Sequence, residues 1–159
     1  MNKEIAMKRK QLDVLFLEVD MASAEKQSCE ACDVATQQLT KALEVVAPLL
    51  GDVNVDVRLN KVLVTTEDQA EQLRFRGSPT LRVGGFEVFP EHVPGGEERK
   101  WRWGEREHAA PPVGLFVDAI LRGWAGSDQE GGQNSYAVPP YLASYLQKNE
   151  KPASRSCCG

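Results

Sequence analysis

Two close cysteine pairs are the residues of this chain best suited to chemistry. Cys29 and Cys32 form a Cys-x-x-Cys motif where a polar stretch gives way to a helical pattern. This spacing puts both sulfurs on one side of a first helical turn, close enough to form a disulfide. The helix dipole and the unpaired N–H groups there favour the thiolate, which is the reactive form. The motif therefore predicts thiol–disulfide exchange, with Cys29 as nucleophile and Cys32 as resolving cysteine.

Two other interpretations of this motif remain open, namely half of a zinc site or a pair of buried core cysteines. A zinc site needs two further ligands at a useful spacing. The remaining histidines and cysteines of the chain are His92, His108, Cys157 and Cys158. We assign no metal site and expect no cofactor. Glu30, inside the motif, opposes thiolate formation and predicts a weaker oxidant than a basic neighbour would.

The second pair, Cys157 and Cys158, precedes the last residue of the sequence. Vicinal cysteines can close a strained disulfide or chelate a soft metal or metalloid. On a flexible tail they could reach the first pair and pass electrons or a metal ion to it, because the tether raises their effective concentration. The alternative is a tail whose cysteines have no function.

The elements that must position the first pair are a strand before it and a helix after it. Residues 12–19 form a nearly continuous apolar run, as expected for a buried strand. A helical stripe follows and ends at Gly51, with Pro48 in its last turn. Residues 53–59 alternate apolar and polar side chains, which predicts a second strand. With a long helix between them, the two strands are expected to be parallel.

The following segments complete an α/β pattern. Residues 66–76 predict a helix with Thr66 as N-cap and Gly77 as its stop. Residues 79–83 and 86–89 predict a hairpin around Gly84-Gly85, and residues 113–124 predict an amphipathic helix.

Two regions lie outside this regular pattern. The stretch 90–112 reads as an irregular insertion, in which Trp101 and Trp103 form either a substrate wall or the edge of a core. Residues 127–135 have the composition of a flexible linker, and residues 140–148 predict a short helix. We predict a domain over residues 1–125, followed over residues 126–159 by a linker, a short helix and a Cys-Cys-Gly tail.

The bulk composition indicates a water-soluble globular protein. The chain has 159 residues, 42% hydrophobic and 26% charged, with a net charge of −4. The absence of a basic excess argues against a nucleic-acid partner. The N-terminal apolar run is too short for a secretory signal, and no segment is long enough to span a membrane. We therefore expect a cytoplasmic location, where static structural disulfides are uncommon.

The order of elements, the Cys-x-x-Cys motif and the Ser78-Pro79 dipeptide together resemble the thioredoxin superfamily. The resemblance implies a four-stranded mixed sheet of order 2-1-3-4 with helices on both faces. It also implies that Pro79 is a cis-proline facing the cysteine pair. Ser78, just before it, would then have main-chain groups free to pair with an extended substrate.

A narrower resemblance involves the stretch RGSPTLRVGGFEV. It is similar to the SPT-x-R-x-x-G segment of a small thioredoxin-like family whose members are sometimes grouped with alkylmercury lyases. That pattern has a further cysteine after the hairpin, where this chain reads ERKWRWGEREH. Direct cleavage of a carbon–mercury bond, which needs such a thiol, is therefore not expected.

The preferred interpretation is an enzyme, a thiol–disulfide oxidoreductase acting on a protein or small-molecule disulfide or thiol. The second is a thiol-based binder or carrier of a soft metal such as mercury or arsenic. The third is a non-catalytic interaction domain. The cysteine sulfurs are reactive groups in the first interpretation and metal ligands in the second.

Overall fold

The computed structural model describes residues 8–19, 30–93, 98–126 and 136–150. The strands are β1 (Lys10–Val19), β2 (Val55–Val64), β3 (Thr80–Val83), β4 (Phe86–Val88), β5 (Glu91–His92), β6 (Arg99–Trp103) and β7 (Arg106–His108). The helices are α1 (Glu30–Asp52), α2 (Glu67–Leu73), α3 (Val113–Ala125) and α4 (Pro140–Glu150).

The main sheet has four strands in the order β2-β1-β3-β4. Strand β1 runs parallel to β2 in the register Lys10↔Val55 to Val19↔Val64. It runs antiparallel to β3, which forms a hairpin with β4. The predicted α/β fold, with its mixed sheet of order 2-1-3-4, is thus confirmed as a thioredoxin-like arrangement.

Both faces of the main sheet are covered, because successive side chains of a strand point to opposite faces. The β1 residues Val14 and Phe16 lie in a first core cluster with residues of α1 and α3. Leu17 and Val19 lie in a second cluster with residues of α2 and α4. All four of these β1 side chains are at most 3% exposed. The prediction of helices on both faces is therefore confirmed.

Among the predicted elements, α2 and β2 differ most from the structure in their bounds. Helix α2 ends at Leu73 and not at residue 76, because Arg74 adopts a left-handed conformation with φ 50° and ψ 49°. Its N–H then caps the helix by donating to the carbonyls of Ala70 and Glu71. Strand β2 begins at Val55 and extends to Val64, further than the predicted strand, because it pairs with β1 over its whole length.

The insertion at 90–112 is more regular than predicted. Its described residues form a small antiparallel sheet of order β5-β6-β7. Trp101 is 2% exposed in the first core cluster, and its ring meets that of Phe116 edge-on at 5.6 Å. Trp103 is 40% exposed and covers the backbone at Gly114. Trp101 is therefore a core residue. Of the two interpretations of this tryptophan, the core edge holds and the substrate wall does not.

Helix α4 lies beyond the predicted domain boundary, yet it contributes to the core of the domain. Leu142 and Leu146 are fully buried in the second cluster. Gln147 donates a hydrogen bond to Glu67 of α2, at 3.0 Å. The predicted short helix is present, and it closes one face of the main sheet.

Candidate active site

The segment before β3 is buried at the end of the main sheet. The peptide bond between Ser78 and Pro79 is cis, as the superfamily resemblance implies. Ser78 is 1% exposed, and Gly77, Pro79 and Thr80 are also buried. The hydroxyl of Thr80 donates to the carbonyl of Gly77. Four consecutive residues are thus removed from solvent, although three of them precede the strand.

Ser78 makes three hydrogen bonds to three different elements. Its hydroxyl oxygen accepts the backbone N–H of Val19, at the end of β1, at 3.1 Å. Its own N–H donates to the hydroxyl of Tyr141 in α4 at 3.0 Å. Its carbonyl accepts from Nε of Arg99 in β6 at 3.2 Å. These bonds satisfy polar groups that would otherwise be buried at a cost.

Tyr141, which accepts the Ser78 N–H, has ring contacts with two further side chains. His92 stacks on the ring of Tyr141, with centroids 4.3 Å apart and an interplanar angle of 8°. The guanidinium carbon of Arg99 lies 5.5 Å from the centroid of the same ring, within cation–π range. Arg99 is 5% exposed. The sequence pattern assigned no role to His92. In the structure it contacts Tyr141, the residue that accepts the Ser78 N–H.

The predicted role of Ser78 needs a correction. Its main-chain groups were expected to be free for an extended substrate, but both are engaged, the N–H by Tyr141 and the carbonyl by Arg99. Both partners are distant in sequence and lie in segments predicted to be an appendage and an irregular insertion. Local patterns contain no signal for such a contact.

The described residues include only part of the predicted thiol sites. Cys32 belongs to the backbone of the first turn of α1, which begins at Glu30 directly after Cys29. Cys29 itself lies outside the described residues, as do Cys157 and Cys158 and the predicted linker at 127–135.

The start of α1 and the Ser78 segment are both tied to the same end of β1. Glu18 accepts a hydrogen bond from the hydroxyl of Thr36, one helical turn after Cys32, at 3.3 Å. The next residue, Val19, donates its N–H to Ser78. Neighbouring residues of one strand therefore hold the two segments that the sequence predicted to face each other.

Glu18 is a residue that the sequence interpretation passed over. Burial of its carboxyl raises the pKa above the ordinary value of 4.5, and the negative charge of Asp33 acts in the same direction. The charge of Lys61 and the hydrogen bond from Thr36 oppose this rise. The sequence did contain an indication of this role. Glu18 is an acidic residue on the same strand face as Val14 and Phe16, which point into the core beneath α1.

Metal-binding clusters and membrane-spanning helices are both absent from the described residues. They contain no group of three or more histidine, cysteine, aspartate or glutamate side chains placed to hold a metal ion. None of the helices within them combines the length and the apolar character needed to cross a membrane.

Comparison with protein families gives one match. The family model described as "Domain of unknown function (DUF2703)" matches residues 12–120, which run from β1 into α3. The chain belongs to the DUF2703 family. No curated protein and no solved structure matches it. The DUF2703 region contains Cys29, Cys32, Glu18, Ser78 and Arg99, whereas Tyr141 lies outside it.

Proposed function

We propose that this DUF2703 protein is a thiol–disulfide oxidoreductase that uses Cys29 and Cys32. The observation that carries the proposal is the pair of hydrogen bonds made by consecutive residues of β1. Glu18 binds α1 one turn after Cys32, and Val19 binds Ser78 beside the cis-proline. The first turns of α1, which follow Cys29 in the sequence, and the Ser78-Pro79 segment are therefore both tied to one end of β1.

The start of α1 supports a reactive thiol. Cys29 immediately precedes the helix, where unpaired N–H groups and the helix dipole stabilise an anion. Cysteines at helix N-termini have lowered pKa values for this reason. Helix α1 is 23 residues long and is anchored on the sheet by Leu39, Val46 and Leu50. The first turn of α1 is therefore held in place by a well-anchored helix.

The reaction is a two-step exchange. The Cys29 thiolate attacks one sulfur of a substrate disulfide, forming a mixed disulfide and releasing the first substrate thiolate. The Cys32 thiolate then attacks the Cys29 sulfur and releases the second. The substrate gains two electrons and two protons, and the protein is left with a Cys29–Cys32 disulfide. A dithiol reductant must restore the reduced form.

We assign the proton transfer of the second step to Glu18. Cys32 must lose its proton before it can attack, and a carboxyl with a raised pKa is a better base for a thiol than an ordinary one. Glu18 meets this condition because it is partly buried beneath α1 and held by Thr36.

The proposal locates the protein in the reducing cytoplasm, where such a dithiol would be regenerated.

The test is quantitative alkylation and mass spectrometry of the full chain across a series of redox buffers. We expect a Cys29–Cys32 disulfide that forms and disappears at one defined potential. Cys29→Ser should abolish reduction of a model disulfide. Cys32→Ser should retain the first step and accumulate the mixed disulfide, because the resolving thiol is missing. If both thiols stay alkylatable at every potential, the proposal is wrong.

The role of Cys157 and Cys158 remains a prediction, since both lie outside the described residues. Truncation after Arg155 should lower turnover with a dithiol reductant if these thiols relay electrons. Unchanged kinetics would contradict the relay. Binding of mercuric ion or arsenite that weakens in the truncated chain would instead support the soft-metal alternative.

A further inference from the structure

The main-chain groups of Ser78 are the ones that an extended polypeptide would need at this site. A peptide that docks along the end of a sheet gains affinity mainly through main-chain hydrogen bonds. Ser78 precedes β3 and is not part of its ladder with β1, which begins at Thr80. Its N–H and carbonyl are nevertheless occupied by Tyr141 and Arg99.

Displacing these two partners would disturb well-anchored side chains. The ring of Tyr141 contacts both His92 and Arg99. Tyr141 belongs to α4, which is fixed to the sheet through the fully buried Leu142 and Leu146. An incoming peptide would have to break both hydrogen bonds and open this packed cluster before it gained any of its own.

We propose that Tyr141 and Arg99 determine the substrate class of the site, and that it accepts low-molecular-weight disulfides and excludes extended polypeptides. This inference rests on the proposed thiol chemistry of Cys29 and Cys32. A small disulfide needs only access for one of its sulfurs to the Cys29 thiolate. It therefore loses nothing when the Ser78 groups are already paired.

The electron balance is the one given above. A small disulfide R–S–S–R takes two electrons and two protons from the two thiols and leaves as two R–SH molecules. The protein ends as the Cys29–Cys32 disulfide, and a dithiol such as dithiothreitol reduces it again. The same balance applies to a peptide disulfide, so the two substrate classes differ only in how they bind.

The test compares three mixed disulfides that release the same thionitrobenzoate chromophore. Their other halves are free cysteine, an unstructured peptide with a central cysteine, and that peptide with N-methylated amides on both sides of the cysteine. The pre-reduced full chain is mixed with each, and the second-order rate constant of chromophore release is measured. The methylated peptide is close to the native one in size, but it lacks the N–H groups that could donate to the Ser78 carbonyl, while its own carbonyls are unchanged.

With the unmodified protein, the free-cysteine probe should react fastest, and the two peptides should react at equal rates. Tyr141→Ala exposes the Ser78 N–H, which can donate to the carbonyls of either peptide, and should raise both peptide rates relative to that of free cysteine. Arg99→Leu removes the donor from the Ser78 carbonyl, which can then accept a peptide N–H, and should raise the rate of the native peptide relative to the methylated one by about fivefold, the factor for one net hydrogen bond. Arg102→Leu is the matched control, because it removes an arginine of the same strand whose side chain is 65% exposed. It should leave the two peptides equal.

A native peptide that outpaces its methylated form on the unmodified protein would overturn the proposal, because it would prove main-chain pairing at this site. Equal peptide rates in Arg99→Leu, or unchanged peptide rates in Tyr141→Ala, would also overturn it. If these variants fail to fold, the comparison on the unmodified protein still decides. If no probe releases chromophore in a manner abolished by Cys29→Ser, the proposed function itself is wrong, and the substrate assignment falls with it.

Discussion

The hydroxyl oxygen of Tyr141 accepts the backbone N–H of Ser78 at 3.0 Å, across 63 residues of sequence. This bond joins the helix that covers one face of the sheet to the residue before the cis-proline. Ser78 is 1% exposed, so its N–H has no access to water as an alternative partner. The stability of the domain and the accessibility of the site therefore depend on the same atom.

Tyr141→Phe should reduce the free energy of unfolding by about 1–3 kcal/mol, because it leaves a buried N–H without an acceptor while keeping the ring. Equilibrium urea denaturation measures the change. Tyr145→Phe, on the same helix, should alter the stability by no more than about 0.5 kcal/mol. Equal losses in the two variants would contradict a specific role of the Tyr141 hydroxyl.

Glu18 should give the folded protein a distinct pH dependence. Its pKa is raised by burial in the folded state, so between the ordinary value of 4.5 and the raised one the folded protein retains a proton that the unfolded chain has lost. Its contribution to stability is therefore present at low pH and decreases as the pH rises through this interval. Below both pKa values it adds no further pH dependence.

Glu18→Gln removes this titration and keeps an oxygen that accepts from Thr36. The variant should gain stability relative to the unmodified protein as the pH rises from the ordinary pKa of 4.5 through the raised pKa of Glu18, as measured by denaturation at a series of pH values. Glu44→Gln, at an exposed position of α1, corrects for the change in net charge. A constant difference for Glu18→Gln across the range would rule out the raised pKa.

The burial of α4 predicts a large effect at Leu142. Leu142→Ala removes a fully buried side chain from the second core cluster and should cost about 2–5 kcal/mol. Leu49→Ala is the matched control, since that side chain is 56% exposed on α1, and its loss should cost about 0.5 kcal/mol or less. Thermal and urea unfolding of both variants would show whether α4 is part of the cooperative unit.

Replacing two helical glycines with alanine should change the free energy of unfolding in opposite directions. A Cβ at Gly123 would overlap the carbonyl oxygen and side chain of Val83, because α3 packs directly on β3. Gly123→Ala should therefore destabilise the domain by about 1–3 kcal/mol. A Cβ at Gly51 in α1 would meet no atom within 4 Å. Gly51→Ala should raise the free energy of unfolding by up to about 1 kcal/mol. A loss of stability at Gly51 would refute this assignment.

The main sheet and the helices α1 and α3 could be predicted because their patterns are local. The apolar run of β1, the glycine in the last turn of α1 and the turn at Gly84-Gly85 each carry their information within a few residues. The small sheet β5-β6-β7 was not predicted, because its strands are short and lie among Gly, Pro and charged residues. Its Trp101 lies in the core through tertiary packing alone.

The candidate site was predictable only in part. The cis bond before Pro79 and the convergence of α1 and Ser78 on one end of β1 agree with the superfamily resemblance. The partners of Ser78 could not be found, because Arg99 and Tyr141 lie in other elements and have no fixed spacing from it. Likewise, the early end of α2 depends on Arg74 adopting a conformation more usual for glycine.

The position of α4 also determines the order in which a nascent chain can fold. The first core cluster is complete once α3 has left the ribosome, since its residues come from elements up to Ile120. The second cluster must wait for Leu142 and Leu146. During synthesis the protein therefore passes through a stage in which Leu17 and Val19 are covered only by the earlier residues of the cluster, such as Ala70 and Phe75, and the Ser78 N–H is still hydrated. Chaperone contacts should concentrate on that face until translation has passed α4.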